Sequence, residues 1–240
     1  MTGSAPTVSI IVPAHNEEAL LGATLDALNA AIAGIGEAHE IVVVDDSSTD
    51  RTADIAREHG ARVERVTVHQ IAAARNAGAR AASGTFLIFV DADTIVPAHT
   101  LRAAVETMRS GAAGGGAGAV FEPSAPRWAH RAITLARWIM RTANWAPGCF
   151  FFARRDAFER AGGFDERYFA SEEIHLSRAL KRVGRFVLLR DNVVTSARKA
   201  EHYSMSHSLW LMIRMAWPGS LKRRKGLEFW YTRHEKSHNK

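Results

Sequence analysis

The sequence has 240 residues, of which 47% are hydrophobic, 23% are charged and only Cys149 is a cysteine. This composition is typical of a globular protein in a reducing compartment, so disordered, collagen-like and disulfide-stabilised classes are poor fits. The net charge of +6 is unevenly distributed, because residues 178–240 contain 15 Lys and Arg against 4 Asp and Glu, whereas the remaining residues contain 16 against 21.

The first half of the chain alternates short apolar runs with helical patterns. The predicted strands are Val8–Val12, Glu40–Val44, Arg62–Val66 and Thr85–Val90, and the predicted helices are Glu17–Ile32, Asp50–Glu58, Ile71–Ala82 and Pro97–Met108. Such alternation indicates an α/β fold with a mainly parallel sheet covered by helices on both faces. Ligands of these sheets bind beyond the carboxyl ends of the strands.

The second half is less regular. Further strands are predicted at Ala119–Glu122, Gly148–Phe152 and Phe186–Leu189, and further helices at Ala125–Ala143 and Ser171–Val183. The glycine-rich run Gly111–Gly118 is interpreted as the connection that leads to the first of these strands. Its G-x-G-x-x-A pattern is rejected as a dinucleotide fingerprint, because no strand is predicted before it and no helix directly after it.

The C-terminal quarter combines bulky apolar side chains with positive charge. We expect an α/β domain over residues 1–200 and a basic, amphipathic, helical extension over residues 201–240. Residues 203–231 join tryptophans to the basic run Lys222–Lys225, which fits either peripheral contact with an anionic membrane or a helix packed on the domain. The sequence contains no known nucleic-acid-binding motif, so nucleic acid is not an expected partner.

The predicted location rests on features that the sequence lacks. The first residues show no basic start followed by an apolar run, so no secretory signal is expected. No apolar stretch approaches the roughly 18 residues that span a bilayer. We therefore expect a cytoplasmic protein, attached peripherally to the inner face of the membrane if the extension binds lipid.

Carboxylates gather where the predicted strands end. Asp45 and Asp46 follow the second strand, Asp91 and Asp93 follow the fourth, and Glu17 follows the first. Any one of them could serve only as a helix cap or a turn residue. Three such sites on one edge of a sheet are costly unless a cation or a donor-rich ligand offsets the repulsion. Oxygen ligands of this kind favour Mg²⁺ or Mn²⁺ bridging a diphosphate.

A further carboxylate pair, Glu172 and Glu173, opens the predicted helix Ser171–Val183. Taken alone, this position is ordinary, because acidic side chains in a first helical turn complement the helix macrodipole. The preceding turn, Gly162–Glu166, could deliver this end of the helix into the cleft.

In their order and spacing, these motifs resemble the family 2 glycosyltransferases, which have the GT-A fold. The resemblance covers Val8–Leu189 and is carried by the segments VSIIVPAHNEE, VVVDDSSTDRT, AAARNAGARAASG, FLIFVDAD and GGFDERYFASEEIHLSRALKRVG. It implies a nucleotide-sugar site that contains Pro13, His15, Glu17, Asp46, Arg75 and Asp91. Within that site, Asp46 would contact the base, Asp91 would face the ribose, and Asn76 would lie near the donor.

The same resemblance implies a divalent cation as cofactor. Asp93 would bind Mg²⁺ or Mn²⁺ together with Asp91, and the cation would stabilise the diphosphate leaving group. Some GT-A enzymes complete the metal shell with a C-terminal histidine, a role open to His202 or to His207.

The implied reaction is an inverting transfer of a sugar from a nucleotide-diphosphate donor to a hydroxyl acceptor. Glu172 and Glu173 stand where the family usually has Glu-Asp, so Glu173 would be the general base that takes the acceptor proton. The acceptor could be a saccharide, a lipid carrier or a small metabolite.

Two alternative functions stay open. One is a degenerate member of the fold that binds a nucleotide, or scaffolds a membrane complex, without catalysis. The other is a sugar-phosphate nucleotidyltransferase. That enzyme would need a glycine-rich, basic loop after the first strand, where this chain has the acidic segment PAHNEE.

Overall fold

The computed structural model describes residues 7–169 and 171–197, which form eight strands and seven helices. The strands are β1 (Val8–Ala14), β2 (His39–Asp46), β3 (Arg62–Val66), β4 (Phe86–Val90), β5 (Thr94–Ile95), β6 (Gly114–Phe121), β7 (Phe150–Arg154) and β8 (Phe186–Thr195). The helices are α1 (Leu21–Ala33), α2 (Thr52–Glu58), α3 (Ile71–Ala81), α4 (Ala98–Arg109), α5 (Arg127–Ala143), α6 (Arg155–Ala161) and α7 (Glu172–Val183).

The strands form one mixed sheet in the order β3-β2-β1-β4-β7-β6-β8-β5. Parallel pairs join β1 to β2 and β4, β2 to β3, and β6 to β8. Antiparallel pairs join β7 to β4 and β6, and β5 to β8. Four of the seven pairings between described strands are therefore parallel, which confirms the predicted α/β fold with a mainly parallel sheet.

Each face of the sheet buries its own apolar core. On one face, Ile10 and Val43 pack with the leucines of α1 and the apolar side of α4. On the other face, Ile11 and Val44 pack with α3, α6 and α7. The central strands are apolar on both faces because helices exclude water from both sides.

Helix α3 packs closely against the sheet because its inner face consists of small residues. Ala72 and Ala74 are buried there, and a Cβ added to Gly78 would lie 2.7 Å from Cγ2 of Val44. This close approach brings Arg75, on the same helix, to the carboxyl edge of the sheet, where it contacts the residues that follow β4.

The prediction for β6 is wrong in its bounds. The strand begins at Gly114 and ends at Phe121, so most of the glycine-rich run belongs to the strand and not to a connection. The reason is steric, because a Cβ at Gly116 would lie 2.5 Å from the Cβ of Ala146 and 2.8 Å from the carbonyl oxygen of Phe150. Glycine is unfavourable in most strands but is required where neighbouring groups leave no room for a side chain.

Three further differences concern short or extended elements. Strand β8 continues to Thr195, well beyond the predicted end at Leu189. The short elements α6 and β5 were not expected from the sequence. The predicted extension over residues 201–240, its helical character and the domain boundary at residue 200 lie outside the described residues. Within the described ranges, no helix combines the length and the hydropathy that crossing a bilayer requires.

Candidate active site

The carboxyl edge of the sheet is formed by loops that contain residues in the left-handed region of backbone space. Asn16 (φ 54°) follows β1, Ser47 (φ 62°) follows β2 and His69 (φ 48°) follows β3. Ser171 (φ 62°) takes the same conformation immediately before α7. Residues other than glycine adopt this conformation at a cost, and they concentrate at functional sites. The surroundings therefore hold this edge in a strained geometry.

The loops that follow β1 and β2 are fastened to each other. The backbone N–H of Thr49 donates to Oδ1 of Asn16 at 2.8 Å, and the backbone N–H of Asn16 donates to Oγ of Ser48 at 3.0 Å. The backbone N–H of Glu17 donates to Oγ1 of Thr52 at 2.8 Å. These bonds fix the relative position of the two segments that the resemblance assigns to the nucleotide.

Three residues predicted to contact the donor, Pro13, His15 and Glu17, lie on this edge. Pro13 is buried in β1, whereas His15 is exposed beyond the end of the strand. Nδ1 of His15 lies 2.6 Å from the carbonyl oxygen of Asp46, so the ring donates a hydrogen bond to it. The ring of His15 also lies edge-on to the ring of His69, with the centroids 6.3 Å apart.

Asp46 is buried and fixes the loop between β3 and α3. Its carboxylate accepts the backbone N–H groups of Val68, His69 and Gln70 at 2.9, 3.0 and 3.2 Å. An ionised carboxylate offers about four acceptor positions, so these bonds leave capacity for one more donor. The predicted contact of Asp46 with a nucleotide base stays a prediction.

Arg75 connects three parts of the site. Its Nη1 donates to Oε1 of Glu172 at 2.6 Å, and its Nη2 donates to Oδ1 of Asp91 at 2.7 Å and to the carbonyl oxygen of Gly148 at 2.9 Å. The guanidinium is buried and lies over the ring of Phe164, 5.2 Å from its centroid. Burial alone would lower the pKa of Arg75, but the charges of Asp91 and Glu172 raise it, so the side chain remains a cation.

Glu172 and Glu173 are both buried in the first turn of α7. Burial raises the pKa of Glu172, although the nearby Arg75 opposes this effect. Burial, followed by the negative charge of Glu172, raises the pKa of Glu173 to about 8. Because Glu172 forms a short ion pair with Arg75, we assign the charge of the pair to Glu172 and the proton at neutral pH to Glu173.

The site also uses residues that the sequence did not single out. A Cβ at Gly148 would lie 3.2 Å from Nη2 of Arg75 and 3.7 Å from Cδ of Glu173, so a glycine allows both side chains to approach. Oγ of Ser171 and Nε of Arg75 are buried without a hydrogen-bond partner among the described residues. The only sequence feature that indicates a role for Gly148 is its position directly before the apolar run Cys149–Phe152.

Asn76 holds the turn that leads to α7. Its Nδ2 donates to the carbonyl oxygen of Phe164 at 2.8 Å and to Oε1 of Glu166 at 2.9 Å, while its Oδ1 accepts the backbone N–H of Phe164 at 3.0 Å. Gln70 adds a bond from its Nε2 to the carbonyl oxygen of Glu166 at 2.6 Å. The turn Gly162–Glu166, which is predicted to place the start of α7 in the site, is therefore held in position by contacts with α3.

Asp91 and Asp93, the two residues predicted to bind a cation, follow β4 at the carboxyl edge of the sheet. Oδ1 of Asp93 lies 3.4 Å from the hydroxyls of Thr94 and Thr195, and its carbonyl oxygen accepts the backbone N–H of Ser196 at 3.1 Å. Within residues 7–169 and 171–197, no three His, Cys, Asp or Glu side chains form a metal-binding group. Two carboxylates nevertheless fit Mg²⁺ or Mn²⁺, because such ions take further ligands from phosphates and water. His202 and His207 lie outside the described residues.

Comparison with known proteins identifies one family. The family model described as "Glycosyl transferase family 2" matches residues 9–162. Over 96 residues, the chain is 41% identical to validoxylamine A glucosyltransferase of Streptomyces hygroscopicus subsp. limoneus, an alignment that covers 38% of this chain and 21% of the relative. Over 166 residues, it is 34% identical to undecaprenyl-phosphate 4-deoxy-4-formamido-L-arabinose transferase of Pseudomonas aeruginosa LESB58, which covers 64% of this chain and 48% of the relative. The chain thus matches less than half the length of either relative.

Solved structures share the fold. The mannosyltransferase PcManGT of Pyrobaculum calidifontis, in complex with GDP-Man and Mn²⁺, has a TM-score of 0.65 and 24% identity over 85% of this chain and 60% of its own. Glucosyl-3-phosphoglycerate synthase of Mycobacterium tuberculosis, in complex with Mn²⁺, UDP and glucosyl-3-phosphoglycerate, has a TM-score of 0.57 and 22% identity over 79% of this chain and 71% of its own. These likenesses confirm the predicted GT-A-like fold.

Proposed function

Since the chain belongs to glycosyltransferase family 2, we propose that it transfers a sugar from a nucleotide-diphosphate donor to a hydroxyl acceptor and inverts the anomeric configuration. The observation that carries this proposal is the cluster of Arg75, Asp91, Glu172 and Glu173 at the carboxyl edge of the sheet, in which all members except the half-buried Asp91 are buried. The nucleotide ligands of the structural neighbours support the class of donor.

In this proposal, the donor lies across the ends of β1, β2 and β4. Pro13, His15 and Glu17 line the nucleotide side, and Asp46 accepts a base N–H with its remaining acceptor position. Asp91 faces the ribose. These contacts orient the anomeric carbon toward α7, which is the larger part of what a transferase must achieve.

Asp91 and Asp93 would hold Mg²⁺ or Mn²⁺, and Mn²⁺ in the neighbouring structures supports a divalent cofactor. When bound, the cation neutralises the charge of the leaving diphosphate. We propose His202 as a further ligand. Arg75 remains beside Asp91, where its positive charge also favours an anionic leaving group.

Glu173 is the proposed general base. The acceptor hydroxyl gives its proton to the Glu173 carboxylate as its oxygen attacks the anomeric carbon from the side opposite the diphosphate. The base must first be ionised, and its raised pKa of about 8 limits the ionised fraction in the free chain. Glu172, fixed by Arg75, positions the first turn of α7 beside the reacting groups.

The acceptor is proposed only as a hydroxyl compound, whether a saccharide, a lipid carrier or a small metabolite. A nucleotidyltransferase fits less well, since residues 15–18, which follow β1, contain neither Lys nor Arg. A non-catalytic nucleotide-binding protein differs from the proposed enzyme in one measurable way, which is turnover.

Thermal unfolding with a panel of nucleoside diphosphates, with and without Mn²⁺, tests the donor site. A ligand at about 100 times its Kd adds ~2.7 kcal/mol, which corresponds to several degrees in Tm. We expect a Mn²⁺-dependent shift with one nucleotide, its loss in Asp93→Ala, and its retention in Asp54→Ala, which removes an exposed carboxylate on α2. A panel without any shift would contradict the proposed donor site.

Release of nucleoside diphosphate from the matching sugar donor tests catalysis. We expect Glu173→Gln to lose about 100-fold or more in rate while it keeps the nucleotide-dependent shift. Glu159→Gln, an exposed carboxylate on α6, is the matched control and should keep the rate. If wild type and Glu173→Gln bind nucleotide and both lack turnover, the chain is the non-catalytic alternative.

A further inference from the structure

Helix α5 presents an apolar face to solvent. Among its 17 residues only Ala129 is fully buried, whereas the side of the helix that carries Leu135, Trp138 and Ile139 is open. These residues are 55%, 63% and 45% exposed, and they are three of the five large hydrophobic residues exposed in the described part of the chain. Their spacing of three and four residues places them on neighbouring positions of one helix surface.

The same helix is positively charged. It carries Arg127, Arg131, Arg137 and Arg141, and it contains no Asp or Glu. Arg141 donates to the carbonyl oxygens of residues 189 and 190, so its guanidinium is engaged within the domain. Arg127 and Arg131 are exposed on the same side of the helix as the apolar residues. Tryptophan, leucine and isoleucine beside arginine are typical of helices that lie in a membrane interface.

The chain leaves the described region beside the start of this helix. The backbone N–H of Ala197 donates to Oε1 of Glu122, which precedes α5 by five residues. Residues 198–240 contain 10 Lys and Arg against 3 Asp and Glu. The positive charge of α5 and of these residues is complementary to an anionic surface.

We propose that the α5 face, formed by Leu135, Trp138 and Ile139 with Arg127 and Arg131, docks on an anionic lipid bilayer. The apolar side chains enter the headgroup region, and the two arginines bind lipid phosphates. Residue 143, where α5 ends, is five residues along the chain from Gly148 in the active site, so docking of α5 would place the active site near the membrane. The inference goes beyond the proposed function and does not depend on it.

Co-sedimentation of the full chain with lipid vesicles tests this docking. We compare phosphatidylcholine vesicles with vesicles that also contain about 30 mol% phosphatidylglycerol. The test variant is Leu135→Ser/Trp138→Ser/Ile139→Ser, and the control, Val68→Ser/Ile95→Ser, removes the other two exposed hydrophobic side chains. We expect wild type and control to bind the anionic vesicles, the test variant to bind at least about tenfold more weakly, and ~0.5 M salt to weaken all binding.

A probe on the helix identifies what contacts it. We attach an environment-sensitive fluorophore to Leu135→Cys, since Cys149 is half-buried and desolvation raises the pKa of its thiol, which lowers its reactivity toward the label. We expect iodide to quench the probe in solution and brominated lipid to quench it on vesicles. Shielding from iodide without vesicles would show that the protein covers this face itself, and vesicle binding equal to wild type in the triple variant would assign binding to another segment. Either result would overturn the proposal.

Discussion

Arg75 contacts three elements at once, since its guanidinium reaches α7, the end of β4 and the segment before β7. It lies between Asp91 and Glu172 and, like Glu172, is buried, so water cannot replace the charge of Arg75 beside Glu172. Removing one member of a buried ion pair lowers the free energy of unfolding by more than the intact pair adds to it, because the remaining charge stays buried without a partner.

We therefore predict that Arg75→Met lowers the free energy of unfolding by about 3–5 kcal/mol at pH 8. The loss should be smaller at pH 5, because the abandoned carboxyl groups bind protons as the pH falls. Urea denaturation at both pH values measures the difference. The control is Arg57→Met, whose exposed pair with Asp54 should contribute less than about 1 kcal/mol. Equal losses in the two variants would contradict the role assigned to Arg75.

The ionisation of Glu173 should govern the pH dependence of the rate. Its pKa of about 8 means that the base is mostly protonated at pH 6 and mostly ionised at pH 9. We predict that kcat/KM for donor turnover rises with pH and levels off above about pH 8. Burial and the charge of Glu172 set that midpoint, so Glu172→Gln should move it to lower pH. A rate that is constant between pH 6 and pH 9 would exclude Glu173 as the base.

At the scale of elements, β6 shows how packing overrides intrinsic preference. Four glycines weaken the strand signal, yet their missing side chains let β7, β8 and residue 146 approach. We predict that Gly116→Ala destabilises the chain by about 1–3 kcal/mol through overpacking. Gly34→Ala, at the end of α1, should be close to neutral, since its Cβ would meet only ordinary contacts at 3.7 Å and beyond. Thermal unfolding of both variants provides the comparison.

The elements that the sequence predicted well are those whose signal is local. The central strands are apolar runs that end in turn residues, and α1, α3 and α4 have a helical period, so their positions follow from neighbouring residues. The start of strand β6 could not be predicted, because its glycines are required by close contacts with residues in β7 and β8. Helix α6 begins directly after β7, so no turn residue separates the two elements, and strand β5 has only two residues, too few for a periodic pattern.

The sequence predicts which residues belong to the candidate site better than it predicts the contacts between them. The carboxylates after β2 and β4 are predictable because the ends of parallel strands meet at one edge, whereas Glu172 and Glu173 at the start of α7 are assigned through the family resemblance. The bond between Arg75 and Glu172 joins residues 97 positions apart, and no local pattern reports such a distance. The same holds for Asn76, which was expected near the donor and binds the turn at residues 164–166.

For the molecule as a whole, the raised pKa of Glu173 links catalysis to stability. The folded chain holds this proton up to about pH 8, whereas the unfolded chain releases it near 4.5. The native state therefore binds more protons in this range, and the free energy of unfolding falls as the pH rises from 4.5 to 8. We predict that Glu173→Gln is more stable than wild type above pH 8, by at least about 1 kcal/mol or ~2–4 °C in Tm.

Thermal unfolding at several pH values measures this effect. The two forms should have nearly equal Tm at about pH 3.5, where the wild-type carboxyl is mostly protonated in both states. Glu159→Gln, exposed on α6, should follow the wild-type curve throughout. Parallel curves for wild type and Glu173→Gln at every pH would show that Glu173 is not buried as described.

The residues with positive φ in the loops around the candidate active site also limit which substitutions these loops can accept. At Asn16, Ser47, His69 and Ser171, a change to glycine relieves the backbone, whereas a β-branched residue adds steric conflict whatever its polarity. Mutational tolerance at these positions is therefore governed by conformation before chemistry. The loops can therefore acquire a new specificity by changing the side chains between these four positions. The four positions themselves should accept only glycine, asparagine and other residues that tolerate a positive φ.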